Sequence, residues 1–248
     1  RKMKVTLISS YLDDTAVANF ARKSFNDDAS KYTDAQNAQL IKYLARGVPA
    51  SDWEQMEEDV VSTTSLGRAH NLLTYARSIP CHRAPFAHPQ ISLSLEAPVP
   101  IARQMFKHEV GFVKSEESRR YISVKPQFFY PDIWRDAAAN VKQGSASTTH
   151  KDNEELKTLY ADYCDYCEYM YTDFINRGVC PEQARFLLPQ GTEVRWSLTG
   201  SLFAFANLYN QRSDSHAQKE IQYLAEDIGD IIEKLYPVSW AALTRGEY

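Results

Sequence analysis

Several features that announce the easier protein classes are missing from this sequence. No apolar run approaches the roughly 18 residues that span a bilayer. The basic opening Arg1-Lys2-Met3-Lys4 leads into a strand-like segment, not the apolar core of a signal peptide. A cytoplasmic protein with no membrane partner is the expectation. The four cysteines, Cys81, Cys164, Cys167 and Cys180, are too few and too unevenly placed to make a disulfide scaffold of 248 residues. No block of five like charges occurs, and with a net charge of -4 and pI near 5.9 nothing predicts a binder that tracks a nucleic-acid backbone. What remains is a globular chain long enough to bury about 70–75% of its unfolded surface, with small-molecule partners.

Punctuation and periodicity place the elements. Val5 to Ser9 reads as a first strand, and Asp13, Asp14 and Thr15 are candidate caps for a helix through Ala16, Val17, Phe20 and Ala21. A second helix, capped at Thr33 or Asp34, carries Leu40, Ile41 and Leu44 and stops at Gly47. Between 48 and 80, the capping-box form Ser51-Asp52-Trp53-Glu54 and the spacing of Leu66, Ala69, Leu72, Leu73 and Ala76 predict a helical hairpin. Ile91, Leu93 and Leu95 alternate with polar residues and predict a strand; Val194, Trp196 and Leu198 do the same. Further short elements are expected as a strand at Tyr121 to Val124, a helix around Ile133 and Trp134, and a flexible loop at Gly144 to His150. Glu154 to Arg177 is predicted as a long helix burying Leu156, Leu159, Tyr163, Cys167, Met170 and Phe174, with Gly178 at its end. Cys164 and Cys167 then sit mid-helix as buried thiols. Pro181 opens a short helix carrying Arg185. Ser213 or Asp214 is expected to cap a final helix through Leu224, Ile228, Ile231, Ile232 and Leu235, with Arg212 just before its N-terminus, where anions are favoured.

The densest chemistry lies between Arg103 and Tyr121. Ile101, Met105 and Phe106 fall at helical spacing after Pro98 and Pro100, which predicts a short helix to about His108 that ends at Gly111. Beyond it, guanidinium groups, hydroxyls and carboxylates crowd one loop, a mixture suited to a ligand with phosphates and polar ring edges. A solvated face held by ion pairs is the competing reading, but the Gly interruption and the flanking Met, Phe and Tyr weigh against a continuous polar face. His82 and His88 lie six residues apart with no third ligand nearby, so no metal site is predicted.

The run Arg103-Gln104-Met105-Phe106-Lys107-His108-Glu109-Val110-Gly111, followed by Glu116-Glu117-Ser118-Arg119-Arg120-Tyr121, resembles the signature of the flavin-dependent thymidylate synthases. That signature is usually Arg-His-Arg, a short gap and Glu-x-Ser-x-Arg-Tyr. Lys107 and His108 keep its first two positions, whereas Glu109 reverses the charge of the third, as variants reading Lys-His-Gln-Val-Gly also lack Arg there. The stretch from His82 to His88 is similar to the family's His-x-x-Pro-Phe-x-His. Ala184 to Pro189 is similar to its Ala-Arg-x-x-Leu-Pro, and Arg212 to Ile221 almost matches its Arg-x-Asp-Ser-His-Ala-Gln-x-Glu-Ile.

The resemblance implies an α+β fold: one domain over 1–248, with a twisted, largely antiparallel sheet flanked by helices and a helical insertion at about 48–80. It further implies reductive methylation of dUMP to dTMP, with FAD as cofactor, NADPH and methylenetetrahydrofolate as co-substrates, and active sites shared within a homotetramer. Arg212 and Ser118 would be catalytic, with Arg212 stabilising charge at the N3 and O2 edge of uracil. Gln104, Lys107, Glu116, Glu117, Ser118, Arg119, Arg120, Arg185 and Arg212 would bind the nucleotide. Ser24, His82, Lys107, His108, Glu109, Glu116, Ser201, Phe203, Asn207 and His216 would bind the flavin. Read without the resemblance, Ser24 is a helix-terminal turn and His82 a surface or capping residue. Glu109 and Phe203 stand where the family has Arg, which lowers the cationic support for flavin phosphates, and Ser201 stands where it has Asn. Two alternatives stay open: a related flavin enzyme that methylates or hydroxymethylates another pyrimidine nucleotide such as dCMP, and a nucleotide-binding homologue without catalysis.

Overall fold

The computed structural model of the protein describes residues 3–46, 81–138 and 146–244. The helical hairpin expected at 48–80 therefore lies outside the described residues. Four strands, β1 (Lys4–Tyr11), β2 (Gln90–Pro98), β3 (Phe112–Glu116) and β4 (Glu193–Ser201), form one sheet in the order β1-β2-β4-β3. β2 and β4 run antiparallel: Ser92 meets Thr199 at 2.8 Å, and four residues further along β2, Glu96 meets Arg195 at 2.9 Å. Ile91, Leu93 and Leu95 on β2 are at most 1% exposed, and Trp196 and Leu198 on β4 are buried too, as their alternation predicts. Each such side chain contributes about 1.5–3 kcal/mol of burial. A one-residue slip would turn them all outward, so this face fixes the register.

The chain forms two compact units. One draws on residues 9–92, 199–210 and 228–248. It contains α1 (Asp14–Lys23), α2 (Asp34–Arg46), the short α3 (Ala84–Ala87) and α9 (Pro237–Thr244). Of the three candidate caps for α1, Asp13 takes the role by accepting from the Ala16 amide at 2.9 Å. Asp14 instead accepts from the Val238 and Ser239 amides at 2.8 and 2.9 Å, and so caps α9. Thr33 and Gln36 exchange side-chain and backbone bonds at the start of α2, a capping box.

The other unit draws on residues 1–8, 93–198 and 211–227. It holds α4 (Val99–Phe106), α5 (Asn153–Asn176) and α6 (Pro181–Ala184), the last continued by a 3-10 turn over Arg185–Leu187. α4 ends at Phe106, two residues short of the expected boundary. Gly111, with φ of 79°, serves a different purpose: it turns the chain into β3, which the sequence had been expected to traverse as loop. α5 stops at Gly178, φ 88°, as predicted.

Several expectations are corrected. The inward seam of α5 runs from half-buried Tyr160 through buried Cys164 and Cys167 to buried Tyr171, and Leu159 and Tyr163 are 57% and 53% exposed. The two tyrosines at its ends reach backbone carbonyls, of Phe129 and Ile122, which rotates the helix away from the purely apolar stripe. Tyr121 to Val124 is turn and bend, not strand, and no helix forms around Ile133 and Trp134. That segment is held in extended form by bridges from Phe128 to Thr192 and Arg135 to Thr149, and by Asn153 accepting from the Trp134 amide. Of the loop expected at 144–150, positions 144 and 145 lie outside the described residues; in the remainder Thr149 takes part in that bridge and Thr148 bonds Asp136. Two helices, α7 (Leu202–Arg212) and α8 (Lys219–Leu235), flank a turn where one capped helix was predicted. α9 follows them, so α8 is not the last. Arg212 thus closes α7 at its C-terminus, and does not precede an N-terminus; there the helix dipole favours its cation. Cys164 and Cys167 are buried free thiols, as predicted.

Candidate functional site

α4 is the base of the site. Pro98 and Pro100 set its first turn, and Ile101, Ala102 and Met105 bury one side, which leaves Arg103 exposed and Gln104 half-buried on the other. The Val99 amide donates to the Thr192 carbonyl at 3.1 Å, and Thr192 in turn closes the Pro189 turn through its hydroxyl at 2.7 Å. These bonds bring the start of α4, the end of β3 and the turn after α6 around a cleft of about 380 Å³. Arg103, Glu116, Glu117, Ser118, Arg119 and Arg185 line it. Three guanidinium groups against two carboxylates give a cationic bias, and burial pushes the Glu116 carboxyl up while Arg185 partly opposes the shift. Arg120 is outside the lining but donates to the Ser118 hydroxyl at 3.2 Å.

A second cluster lies in the same unit. Arg212 donates through Nε to His108 Nε2 at 2.8 Å and through Nη2 to the Gln104 carbonyl at 3.3 Å. The imidazole must accept there, so it is neutral with its proton on Nδ1. Burial first, then the charges of Arg212 and Lys114, lower the His108 pKa to about 4. The Gln104 amide donates to Gln218 at 2.8 Å, Gln218 donates to Glu220 at 2.8 Å, and Arg135 pairs with Glu220 at 2.6 Å. Consecutive residues of one helix therefore serve both groups: Arg103 belongs to the cleft and Gln104 to the Arg212 cluster. Lys107 and Glu109 are exposed beside His108, and His216 is exposed and turned to Asp214 at 2.9 Å.

The remaining expected residues lie in the other unit. Ser24 and His82 line a hollow of about 650 Å³ together with Phe20, Tyr43, Arg83 and His88. Phe20 and His88 stack at 3.9 Å, and Tyr43 lies 5.6 Å from His82. Aromatic faces, an Arg and two His suit a planar, anionic group such as a flavin nucleotide. Phe203 is half-buried beneath the Arg83 guanidinium at 5.6 Å, and Asn207 is exposed. Ser201 is 8% exposed and its hydroxyl accepts from the Ala204 amide, capping the start of α7.

Sequence reasoning left Arg103 out of the site, although it adjoins Gln104 in the quoted run. It also passed over Arg135, Gln218 and Glu220. Gln218 and Glu220 lie inside the second signature, a position that could have flagged them; nothing in sequence marks Arg135. Another hollow of about 580 Å³, lined by Phe129, Tyr130, Arg135, Glu220 and Tyr223 among others, contains none of the expected site residues. Among the described residues no group of three His, Cys, Asp or Glu could hold a metal, and no helix is long and apolar enough to cross a membrane.

The fold defines the class first. The structure is similar to that of a UMP/dUMP methylase, PolB from Streptomyces cacaoi, solved with 5-Br dUMP, with a TM-score of 0.75 at 24% identity over 98% of this chain and 95% of that one. Among sequences, it is 32% identical over 171 residues to a flavin-dependent thymidylate synthase of Thermosipho africanus, covering 67% of this chain and 73% of the relative. A flavin-dependent thymidylate synthase of Thermus thermophilus is 29% identical over 241 residues, 96% of this chain and 74% of the relative. The family model described as thymidylate synthase complementing protein matches residues 6–238. The chain belongs to this family, the flavin-dependent thymidylate synthases, which are methyltransferases.

Proposed function

We propose that the protein methylates dUMP to dTMP, taking the one-carbon unit from methylenetetrahydrofolate with FAD as cofactor and NADPH as reductant, the whole chain serving as one catalytic domain. The observation that carries this reading is the pairing of an arginine-rich cleft with the Arg212 cluster on successive residues of α4. The cleft suits the nucleotide phosphate and sugar: Arg185 and Arg103 supply charge-assisted donors, Ser118 a hydroxyl held by Arg120, and Arg119 a further guanidinium. Glu116 and Glu117 are carboxylates for sugar hydroxyls. Lys107 adds a mobile cation at the exposed end of α4.

Arg212 then stands at the N3 and O2 edge of the uracil. Its guanidinium is half-buried, where a fixed cation stabilises negative charge developing on the ring far better than it would in water. It transfers no proton; it lowers the cost of charge. A bound flavin supplies the hydride chemistry that completes the methyl group. The hollow of Ser24, His82, Arg83 and Phe203 is the candidate holder of that flavin, with Asn207 and Ser201 on α7, and with His108, Glu109 and His216 as further candidates. A homotetramer would complete such sites with residues from neighbouring copies.

The test is direct. Purified protein should carry a flavin absorption spectrum and convert dUMP to dTMP when given methylenetetrahydrofolate and NADPH. Arg212→Ala should lose turnover by about 100-fold or more while retaining flavin. Near-normal thymidylate formation by that variant removes Arg212 from the mechanism. A colourless protein that takes up no flavin removes the reading altogether.

A further inference from the structure

The Glu117 carboxylate stands between two sets of guanidinium groups. Glu117 follows β3, an edge strand of the sheet, and lines the cleft together with Arg103, Arg119 and Arg185. Its amide donates to the Arg195 carbonyl of β4 at 2.8 Å, and its Oε2 lies 4.0 Å from Arg195 Nη1. Arg195 stands outside the cleft: Val194 lines it, and the pleat turns the next residue to the other face of β4. There Arg195 Nε donates to Glu96 Oε2 of β2 at 2.9 Å, and the Glu96 side chain is only 9% exposed. A guanidinium is planar and stays charged, so the bond to Glu96 fixes which of its edges turns to Glu117. Glu96 first, then Glu117 and Glu193, push the Arg195 pKa up. In the cleft, Arg119 donates to the Val124 carbonyl at 2.9 Å and Arg185 to the Glu182 carbonyl at 3.2 Å. Both are held by neutral oxygens and keep their charge for an anion.

We propose that Arg195, anchored on Glu96, holds the Glu117 carboxylate away from the cleft guanidinium groups and so leaves them to the phosphate of the nucleotide. The inference rests on the reading that this cleft takes that phosphate. Freed from Arg195, Glu117 can pair with Arg119, two residues along the same loop, and a guanidinium paired in that way is lost to the ligand. Position 117 is one that the Glu-x-Ser-x-Arg-Tyr pattern leaves open. A second carboxylate there is a burden on an anion site, and the guanidinium behind β4 is what makes it tolerable. Arg195 touches no substrate in this scheme; it is a positioning residue acting through Glu117.

The experiment is equilibrium dialysis of the full chain, as purified, against radiolabelled dUMP, with deoxyuridine read by displacement of that label. The two ligands differ only in the phosphate, so their affinity ratio isolates it, and contacts to base and sugar cancel. Glu96→Gln and Arg195→Met are made together, which leaves no buried carboxylate stripped of its partner and no change in net charge. This double variant should lower the dUMP-to-deoxyuridine ratio about tenfold, the worth of one charge-assisted hydrogen bond. Adding Glu117→Gln should bring the ratio back to within about threefold of wild type, a rescue that a merely structural weakening does not show. Glu117→Gln alone, with Arg195 still on Glu96, should also hold it within about threefold. A ratio unmoved in the double variant, or lowered and not rescued, overturns the inference and leaves the proposed function standing. A rise of about tenfold in Glu117→Gln alone does the same, because the carboxylate then already competes in the cleft, and that variant decides the matter even where the double variant does not fold. Wild type that binds both ligands equally removes the phosphate from the cleft, and the inference with it. Wild type that binds neither overturns the functional reading as well.

Discussion

Replacing His108 with Gln should change how the stability of the protein responds to acid, by an amount the geometry bounds. Arg212 Nε donates to His108 Nε2 at 2.8 Å, so the folded protein holds the imidazole neutral. Burial, then Arg212 and Lys114, lower its pKa from 6.5 to about 4. Lys114 itself is tied to the Phe106 carbonyl at 2.8 Å and cannot swing away freely. In the unfolded chain, His108 takes up a proton below about pH 6.5; in the fold it does so only near 4. Between those values the unfolded state binds more protons, so stability falls as pH drops through that window and is unaffected above it. At about 1.4 kcal/mol per pKa unit the shift bounds the effect at about 3.5 kcal/mol. His108 is only partly shielded, and solvent screening reduces the portion lost between pH 7.5 and 5 to about 1 kcal/mol. Gln offers an acceptor to Arg212 but has no proton to gain. Urea unfolding of both proteins at pH 7.5 and 5 measures the difference. Wild type should lose about 1 kcal/mol more than His108→Gln; equal losses in the two proteins would refute the assigned protonation state and the donor direction of the Arg212 bond.

Three further substitutions test the packing and capping within each unit. A Cβ at Gly191 would lie 1.8 Å from the Tyr160 hydroxyl, which bonds the Phe129 carbonyl at 3.1 Å, so Gly191→Ala should cost about 1–3 kcal/mol, read as a lowered urea midpoint; a midpoint within error of wild type contradicts this close approach. Asp14→Ala removes the acceptor for the first amides of α9 and should cost about 1–2 kcal/mol by the same measurement, whereas Asp13→Ala should act on α1 alone.

How far the sequence could be read depends on which physical signal each feature left in it. β2 and β4 were legible because burial on one face imposes strict alternation, and Ile91, Leu93, Leu95, Trp196 and Leu198 all obey it. The helices opened by Asp13, Thr33 and Pro98 were legible because caps are local chemistry. α7 was not. Its opening run Leu202-Phe203-Ala204-Phe205-Ala206 is apolar throughout, with four of the five buried, so it shows no polar face at period 3.6 that would have named it a helix. That miss displaced Arg212, because a residue read as preceding a helix in fact ends one. The basic and acidic residues of the cleft, Arg103 excepted, were named through the family resemblance and not through spacing, since Arg185 and Ser118 are more than sixty positions apart and the Thr192 turn and β3 bring them together. Amide orientation lies deeper still. Gln104 and Gln218 look symmetric as letters, and only the ionised Glu220 at the end of their chain breaks that symmetry. Donor direction is thus a property of the folded network, which no spacing of residues in the chain could have supplied.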